Sequence, residues 1–385
     1  MIIVFGTILL GLLVSRILFH RFAKLDEADS VSVIGDDQGH KTIRLSIIIP
    51  ARNEEKNLSL LLNDLKKQTA AIHEIICVDD GSTDQTAKIA MEAEAMLITS
   101  TQKPPGWIGK SWACQLGGEA ATGAVLLFLD ADVRLSPAGI GKLLTTYKQT
   151  GSVVSVMPYH QIEKKAETLS LFFNLLQMGA NGMGLPVSHN KNSKPGENKK
   201  NKAIGLYGPV ILISHNDYQA VGGHAAIKDS IVDDMALGEK LQEKAIPFAL
   251  FLGDQDVSYR MYSGGLKDLV QGWTKNQAAG AAKTPVYLIF LVFFWITSCA
   301  SIPVYLMLNL IWQHWLWVEI LAACYGVWVL ELIRIARHIG SFSVGSIVFY
   351  PVSLIFYLVI FLRSMIKKIL GLPVIWKDRE IRLEK

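Results

Sequence analysis

Charge is scarce in this chain: Asp, Glu, Lys and Arg make up 19% of its 385 residues, while half are hydrophobic. A soluble domain carries more charge than that, so the shortage points to membrane segments rather than to a larger core. Cysteine is sparse as well. Cys77, Cys114, Cys299 and Cys324 form no CxxC pair and no metal-ligand spacing, which argues against a disulfide framework or a zinc module and suits buried thiols in a reducing compartment. The start lacks the basic residues and small-residue cleavage site of a secretory signal. There is no internal repeat, and the net charge of +4 is spread over loops and the ends of apolar runs; nucleic acid is not an expected partner.

What the chain has in abundance is apolar length. IIVFGTILLGLLVSRILF approaches the ~20 residues that a helix needs to cross the hydrocarbon, and residues 1–20 read as a retained anchor. Three late runs follow, PVYLIFLVFFWITSCASIPVYLMLNLI, LWVEILAACYGVWVLELI and SVGSIVFYPVSLIFYLVIFL. Residues 285–370 are thus expected to hold two spans and a third segment, broken or re-entrant around Pro351, where proline interrupts the helix ladder. Arg21 and Lys24 follow the first run, Lys275 and Lys283 precede the second, and Arg334 and Arg337 follow the third. By the positive-inside rule this predicts a multi-pass protein of the cell membrane, its middle domain and basic tail (371–385) cytoplasmic. Basic residues beside the spans are placed to meet anionic head groups.

Between anchor and spans, strands and helices alternate. IRLSIIIP is a continuous β-branched run, suited to a strand buried on both faces. A helical EEKNLSLLLNDLKKQ, a strand EIICVDD, a capped helix STDQTAKIAMEAEA, a helix around SWACQLGGEAATG and a strand AVLLFLD follow. The pattern predicts a doubly wound α/β domain with ligand at the carboxyl ends of its strands. Later come an apolar helix TLSLFFNLLQMGANGMGL, a lysine-rich loop PVSHNKNSKPGENKKNK, and a strand LYGPVILIS.

Carboxylates recur where strands end: Asp79 and Asp80, then Asp130 and Asp132. In an extended chain residues i and i+2 point the same way, so Asp130 and Asp132 can address one ligand. Oxygen ligands select Mg²⁺ or Mn²⁺, which also bind diphosphate. The same spacing serves equally to cap the next turn. Glu54 and Glu55, and likewise Asp233 and Asp234, also fit the first turn of a helix, where carboxylates meet the dipole. His160 and His224 suit hydrogen-bonded structural positions, and Trp273 an aromatic contact at a membrane or acceptor side.

In order along the chain stand PARNEE, VDDGSTD, GKSWACQLG, DAD, GPVILISHNDYQAVGGH and VDDMALGEKL. That series resembles the inverting family 2 glycosyltransferases of the GT-A fold, with a domain at 43–282. MPYH, YGPV, GGH and GWTKN resemble in particular the carotenoid-acid glucosyltransferases, with hopanoid-associated glycosyltransferases as close relatives. The resemblance implies that Pro50, Ala51 and Glu54 lie against a uridine, Asp80 at the uracil edge and Lys110 near the nucleotide. It places Asp130 by the ribose and sugar, Asp132 on the metal, and Asp234 as catalytic base with Asp233 as the alternative. Trp273 and His224 would stand on the acceptor side. The implied reaction moves a hexose, glucose foremost, from a UDP-sugar to a membrane lipid, foremost the carboxylate of a C30 carotenoid acid; a polyprenyl phosphate, hopanoid or other membrane lipid is the alternative.

Two departures matter. Processive synthases carry a QxxRW box, whereas this chain has QGWTK from Gln271 to Lys275, which disfavours polymer synthesis. Gln115 stands where the family more often has Asn. A DxD phosphatase is disfavoured by Arg134, where its motif needs Thr or Val.

Overall fold

The computed structural model describes residues 2–28, 43–100, 102–108, 110–185, 203–376 and 379–382. The lysine-rich loop expected at 186–202 lies outside them. In chain order the elements begin with α1 (Ile2–Leu18), β1 (Leu45–Ala51), α2 (Glu55–Leu65), β2 (Glu74–Asp79), α3 (Thr86–Glu92) and β3 (Met96–Thr99). Next are α4 (Ser111–Ala120), β4 (Val125–Leu129), β5 (Val133–Leu135), α5 (Gly139–Thr150), β6 (Val153–Met157) and β7 (Tyr159–His160). Then come α6 (Leu171–Ala180), β8 (Val210–Ser214), α7 (His215–Ala220), α8 (Asp233–Glu243), β9 (Phe248–Leu252) and β10 (Val257–Tyr259). The helices α9 (Leu266–Lys283), α10 (Val286–Ile311), α11 (Trp315–Ala336), α12 (Val344–Val348) and α13 (Tyr350–Ile369) precede a hairpin of β11 (Pro373–Trp376) and β12 (Arg379–Arg382).

The chain divides into two compact units. One comprises residues 23–161, 198–261 and 371–385; the other comprises 1–22, 162–197 and 262–370. The expected domain at 43–282 is therefore interrupted. Its apolar helix near Leu171 and its last stretch, α9, belong to the helical unit, because their apolar faces pack on other helices and not on the sheet.

The α/β unit is built on a seven-stranded sheet in the order β3-β2-β1-β4-β8-β6-β9. It is mixed: β8 runs antiparallel to both β4 and β6, while the other pairs are parallel. The continuous apolar run VILIS reads as burial on both faces, and burial carries no information about strand direction. A second sheet of order β5-β10-β7, absent from the sequence reading, stands beside it. Its strands are two or three residues long, too short for a period to register. Leu58, Leu61, Leu62 and Leu65 of α2, at helical spacing, join Ile47, Ile49 and Leu127 in the core.

Proline in a central strand is unusual, since it cannot donate to the ladder. Here β1 pairs with β4 only from Leu45 to Ile48, while pairing with β2 continues through Pro50 and Ala51. Pro50 sits where one neighbour has already ended. The parting of β1 from β4 opens the carboxyl edge of the sheet, where ligands of such sheets bind.

In the helical unit, α10 and α11 are long and apolar enough to cross a membrane, and α1 is a shorter apolar helix. Around Pro351 the short helix α12 ends at Val348, and α13 starts with Pro351 in its first turn, where the missing N–H costs nothing, and continues to Ile369. The tail is more ordered than a basic run suggests, because β11 and β12 pair antiparallel.

Lys142 of α5 pins the turn between β9 and β10. Its ammonium, 6% exposed, lies 2.7 Å from Asp256, 3.0 Å from Asp254 and 3.2 Å from Glu27. Lys142→Met would leave those carboxylates without their cation at a cost of about 2 kcal/mol. The expected readout is a lower denaturation midpoint for the purified full chain; an unchanged midpoint would show that solvent holds the turn unaided.

Candidate active site

The two loops that follow β1 and β2 are knitted to each other. Asp80 N donates to Ala51 O (2.8 Å), and Arg52 reaches across to Asp80 O (2.6 Å) and Gly81 O (2.8 Å). Asn53 N donates to Ser82 Oγ (2.9 Å), and its side-chain oxygen accepts from Thr83 N (2.8 Å). Glu54 N donates to Thr86 Oγ1 (2.8 Å), while the Glu54 carboxylate accepts from Asn57 (2.7 Å). Asp79 turns back on Ser82 N, at 3.1 Å, and closes its own loop. Asp80, one residue on, is buried and meets Lys103 Nζ at 3.1 Å. PARNEE and VDDGSTD, remote in sequence, thus form one surface around Pro50, Ala51, Glu54 and Asp80.

A second cluster centres on Lys110, just before α4. Its ammonium pairs with the Asp130 carboxylate at the end of β4 and donates to Gly208 O at 3.3 Å. Asp130 N donates to Pro209 O (2.9 Å), and Gly208 N donates to Asp234 Oδ2 (2.9 Å). The other carboxylate oxygen of Asp234 accepts from Met235 N at 2.8 Å. One lysine therefore ties the end of β4, the YGPV segment and the start of α8 together. Position 208 is tight: a Cβ there would stand 3.2 Å from Asp234 Oδ2, so any larger residue must displace that carboxylate by a few tenths of an ångström.

Electrostatics distinguish these groups. Burial would push the Lys110 ammonium down, but the charges of Asp130 and Asp233 outweigh it and hold the group above the ordinary lysine range. Asp234 is pushed up to about 6, first by lost hydration and then by the like charge of Asp233; Lys110 and the two N–H donors pull the other way. Such a carboxyl is ionised at neutral pH yet basic enough to accept a proton. Burial drives the Cys114 thiol well above its usual range, so it stays protonated.

The DAD stretch differs from the expectation. Residues 130–132 are not extended: Val133 N donates to Asp130 O (3.1 Å), closing a turn that joins β4 to β5. Alternation along a strand therefore does not align the two carboxylates. Asp130 turns to Lys110, and Asp132 lies in the turn, its charge felt by the buried Tyr259 hydroxyl. The turn is closed by backbone atoms, and the Asp130 carboxylate is engaged by Lys110 rather than by the turn.

The family model described as glycosyl transferase family 2 matches residues 46–218. A 4,4'-diaponeurosporenoate glycosyltransferase of Staphylococcus haemolyticus is 36% identical over 269 residues, covering 69% of each chain. Its Staphylococcus aureus counterpart is 31% identical over 345 residues, 89% of each. The chain belongs to glycosyltransferase family 2. Among solved structures, a Pyrobaculum calidifontis mannosyltransferase in complex with GDP-Man and Mn²⁺ aligns over 86% of this chain and 95% of its own, at 16% identity and a TM-score of 0.49. This glycosyltransferase has the mixed α/β sheet of the GT-A fold.

Within the family 2 glycosyltransferase, Gln115 and the GGH turn explain each other. Gln115 Oε1 accepts from Ala225 N at 2.8 Å, just past Gly222 and Gly223, whose φ values of 81° and 59° only glycine adopts easily. His224 is buried, its Nδ1 2.9 Å from Tyr218 Oη, and burial lowers its pKa to about 4. A neutral, enclosed imidazole has the structural position, not an acceptor-side one. Trp273 is likewise enclosed: it lies in the helical unit, stacked on Phe173 at 4.4 Å, with its indole N–H donating to Ser170 Oγ at 3.2 Å. No face of it is left for an acceptor. His160 is fully buried beside Tyr259.

Lys103 and Gly208 are the site residues that sequence reading missed. The signal for Gly208 lay in YGPV, read as the entrance to a strand; Lys103 sits in a Pro/Gly loop without periodicity. Lys110→Met would release Asp130 and the YGPV segment together. Glycosyl transfer is expected to fall at least about hundredfold with the circular dichroism unchanged; retention of activity would remove Lys110 from the site.

Proposed function

We propose that the enzyme transfers a hexose, glucose in our reading, from a UDP-sugar to the carboxylate of a long-chain carotenoid acid, with inversion at the anomeric carbon. The observation that carries the reading is the chain of contacts from Asp234 through Gly208 and Lys110 to Asp130, which couples a proton-accepting carboxylate to the strand end on the donor side. The names of the staphylococcal relatives supply the acceptor class. Pro50, Ala51, Glu54 and Asp80 receive the nucleoside, Lys110 stands near the nucleotide, and Asp130 approaches the ribose and sugar.

A divalent ion, Mg²⁺ or Mn²⁺, fits this reading in one particular way. Among the described residues no three His, Cys, Asp or Glu side chains converge on a cage. Asp132 would be its protein ligand, with diphosphate oxygens and water completing the shell, the arrangement that Mg²⁺ favours. When bound, the ion neutralises charge on the departing diphosphate.

Direct displacement needs the acceptor oxygen held behind the anomeric carbon and its proton, if it has one, removed. A carboxylic acid is already ionised at neutral pH, so Asp234 orients it; an alcohol needs Asp234 as base. The acceptor is apolar, and the helical unit suits a membrane. Its α1 and α11 run parallel, Phe5 lying 5.9 Å from Trp317 at one end and Ser15 hydrogen-bonded to Glu331 near the other. Arg16, Arg21, Arg334 and Arg337 share the latter end, and Trp312 and Trp315 are exposed at the former. Basic residues on one side and tryptophans on the other suit crossing with the arginines cytoplasmic.

Asp234→Asn is expected to cripple transfer to an alcohol far more than to a carboxylic acid; equal losses would overturn that division of roles. With an alcohol acceptor, activity should climb as pH rises through about 6, since the ionised Asp234 is the active form; a flat profile would remove it as base. Purified membranes given radiolabelled UDP-sugars and candidate lipids, with and without EDTA, test donor, acceptor and ion. Metal-independent transfer would remove the role of Asp132, and preference for a polyprenyl phosphate or hopanoid would replace the acceptor.

A further inference from the structure

The helical unit contains a charged cluster that glycosyl transfer does not use. Glu331 of α11 has a side chain only 4% exposed in a segment able to span a membrane. An ionised carboxylate there is costly unless paired, and such residues in membrane helices commonly mark a function. It is paired thoroughly. Arg334, one turn on, grips it with two bonds, Nε to Oε2 at 2.8 Å and NH2 to Oε1 at 2.7 Å, and Ser15 of α1 donates to Oε1 at 2.8 Å. Arg334 also donates to Phe19 O at 3.3 Å.

Arg16 is the remaining charge. It lies 3.4 Å from Glu331 Oε2, a looser approach to a carboxylate that Arg334 already neutralises, and its side chain is 66% exposed. A cleft of about 460 Å³ opens between α1 and α11 at this point, with Arg16, Glu331 and Arg334 at its charged end. Leu12 and Leu13 form one wall; Val327 and Leu330 form the other. Leu13, Val327 and Leu330 are about half exposed or more, at 59%, 49% and 67%. Arg21 and Arg337, also exposed, follow the same helix ends.

We propose that this cleft holds one anionic phospholipid, its phosphate on Arg16 and the start of an acyl chain between the leucines. A soluble anion would gain nothing from the two apolar walls, and a neutral lipid would leave the surplus positive charge unanswered. The charged end coincides with the cluster of arginines, the level at which phosphates of a cytoplasmic leaflet stand. The inference rests on the membrane reading above and is independent of which sugar or acceptor is used.

The test is native mass spectrometry of the full chain released from nanodiscs holding equal amounts of phosphatidylglycerol and phosphatidylcholine. One retained phosphatidylglycerol per chain is expected. Arg16→Gln should cut its retention about fivefold, the effect of one basic residue at an anionic surface, and Arg16→Lys should preserve most of it. Leu330→Trp, which fills the cleft, should expel the lipid, whereas Arg337→Gln, outside it, should change nothing. Equal retention of both lipids by the wild type, or an unaltered preference in Arg16→Gln, would overturn the proposal. So would displacement of phosphatidylglycerol by an equimolar long-chain fatty acid, which would assign the cleft to a carboxylate. Because binding is read without catalysis, failure of the transfer reaction leaves this result interpretable, and the wild-type competition decides even if a variant does not fold.

Discussion

Lys110 is the constraint on which the site depends. Three segments with no sequence proximity, the end of β4, the YGPV stretch and the N-terminus of α8, are each held by a bond to its ammonium or by one bond further on. All of them carry carboxylate or carbonyl oxygens, which without a cation would repel each other and open the edge of the sheet. The lysine also sets the chemistry. By drawing Asp234 down against the opposing effects of burial and Asp233, it keeps that carboxyl near neutrality instead of protonated. Position and proton affinity thus come from one interaction.

The rest of the sheet supplies the platform. Pairing of β1 with β4 stops at Ile48, two residues before Pro50, so the chain parts there. The PARNEE and VDDGSTD loops fill one side of the gap by bonding to each other. Two loops already bonded to each other before a ligand arrives have little to reorganise when one does.

Much of this was legible in the sequence, for identifiable reasons. The α/β alternation is a local pattern and was read correctly; two of the late apolar runs form helices long enough to cross a membrane. The series of strand-end motifs led to the right family, because each motif is a short local run. What escaped notice depends on the fold. Strand direction for β8 cannot be inferred from a run buried on both faces. The turn at 130–132 defeats an argument from alternation, because Asp130 is the last residue before the chain folds back. Trp273 looked available for an acceptor only because Phe173, its stacking partner, lies a hundred residues earlier.

The bond between Ser15 and Glu331 spans 316 residues of sequence. A first helix that satisfies an acid on the eleventh is more than a leash for a catalytic domain. During synthesis α1 emerges long before its partner, and the whole α/β unit is made in the interval. Arg334 can pair with Glu331 as soon as α11 is made, but the bond from Ser15 forms only when α11 meets α1, so the closing of the helical unit comes late in the making of the chain.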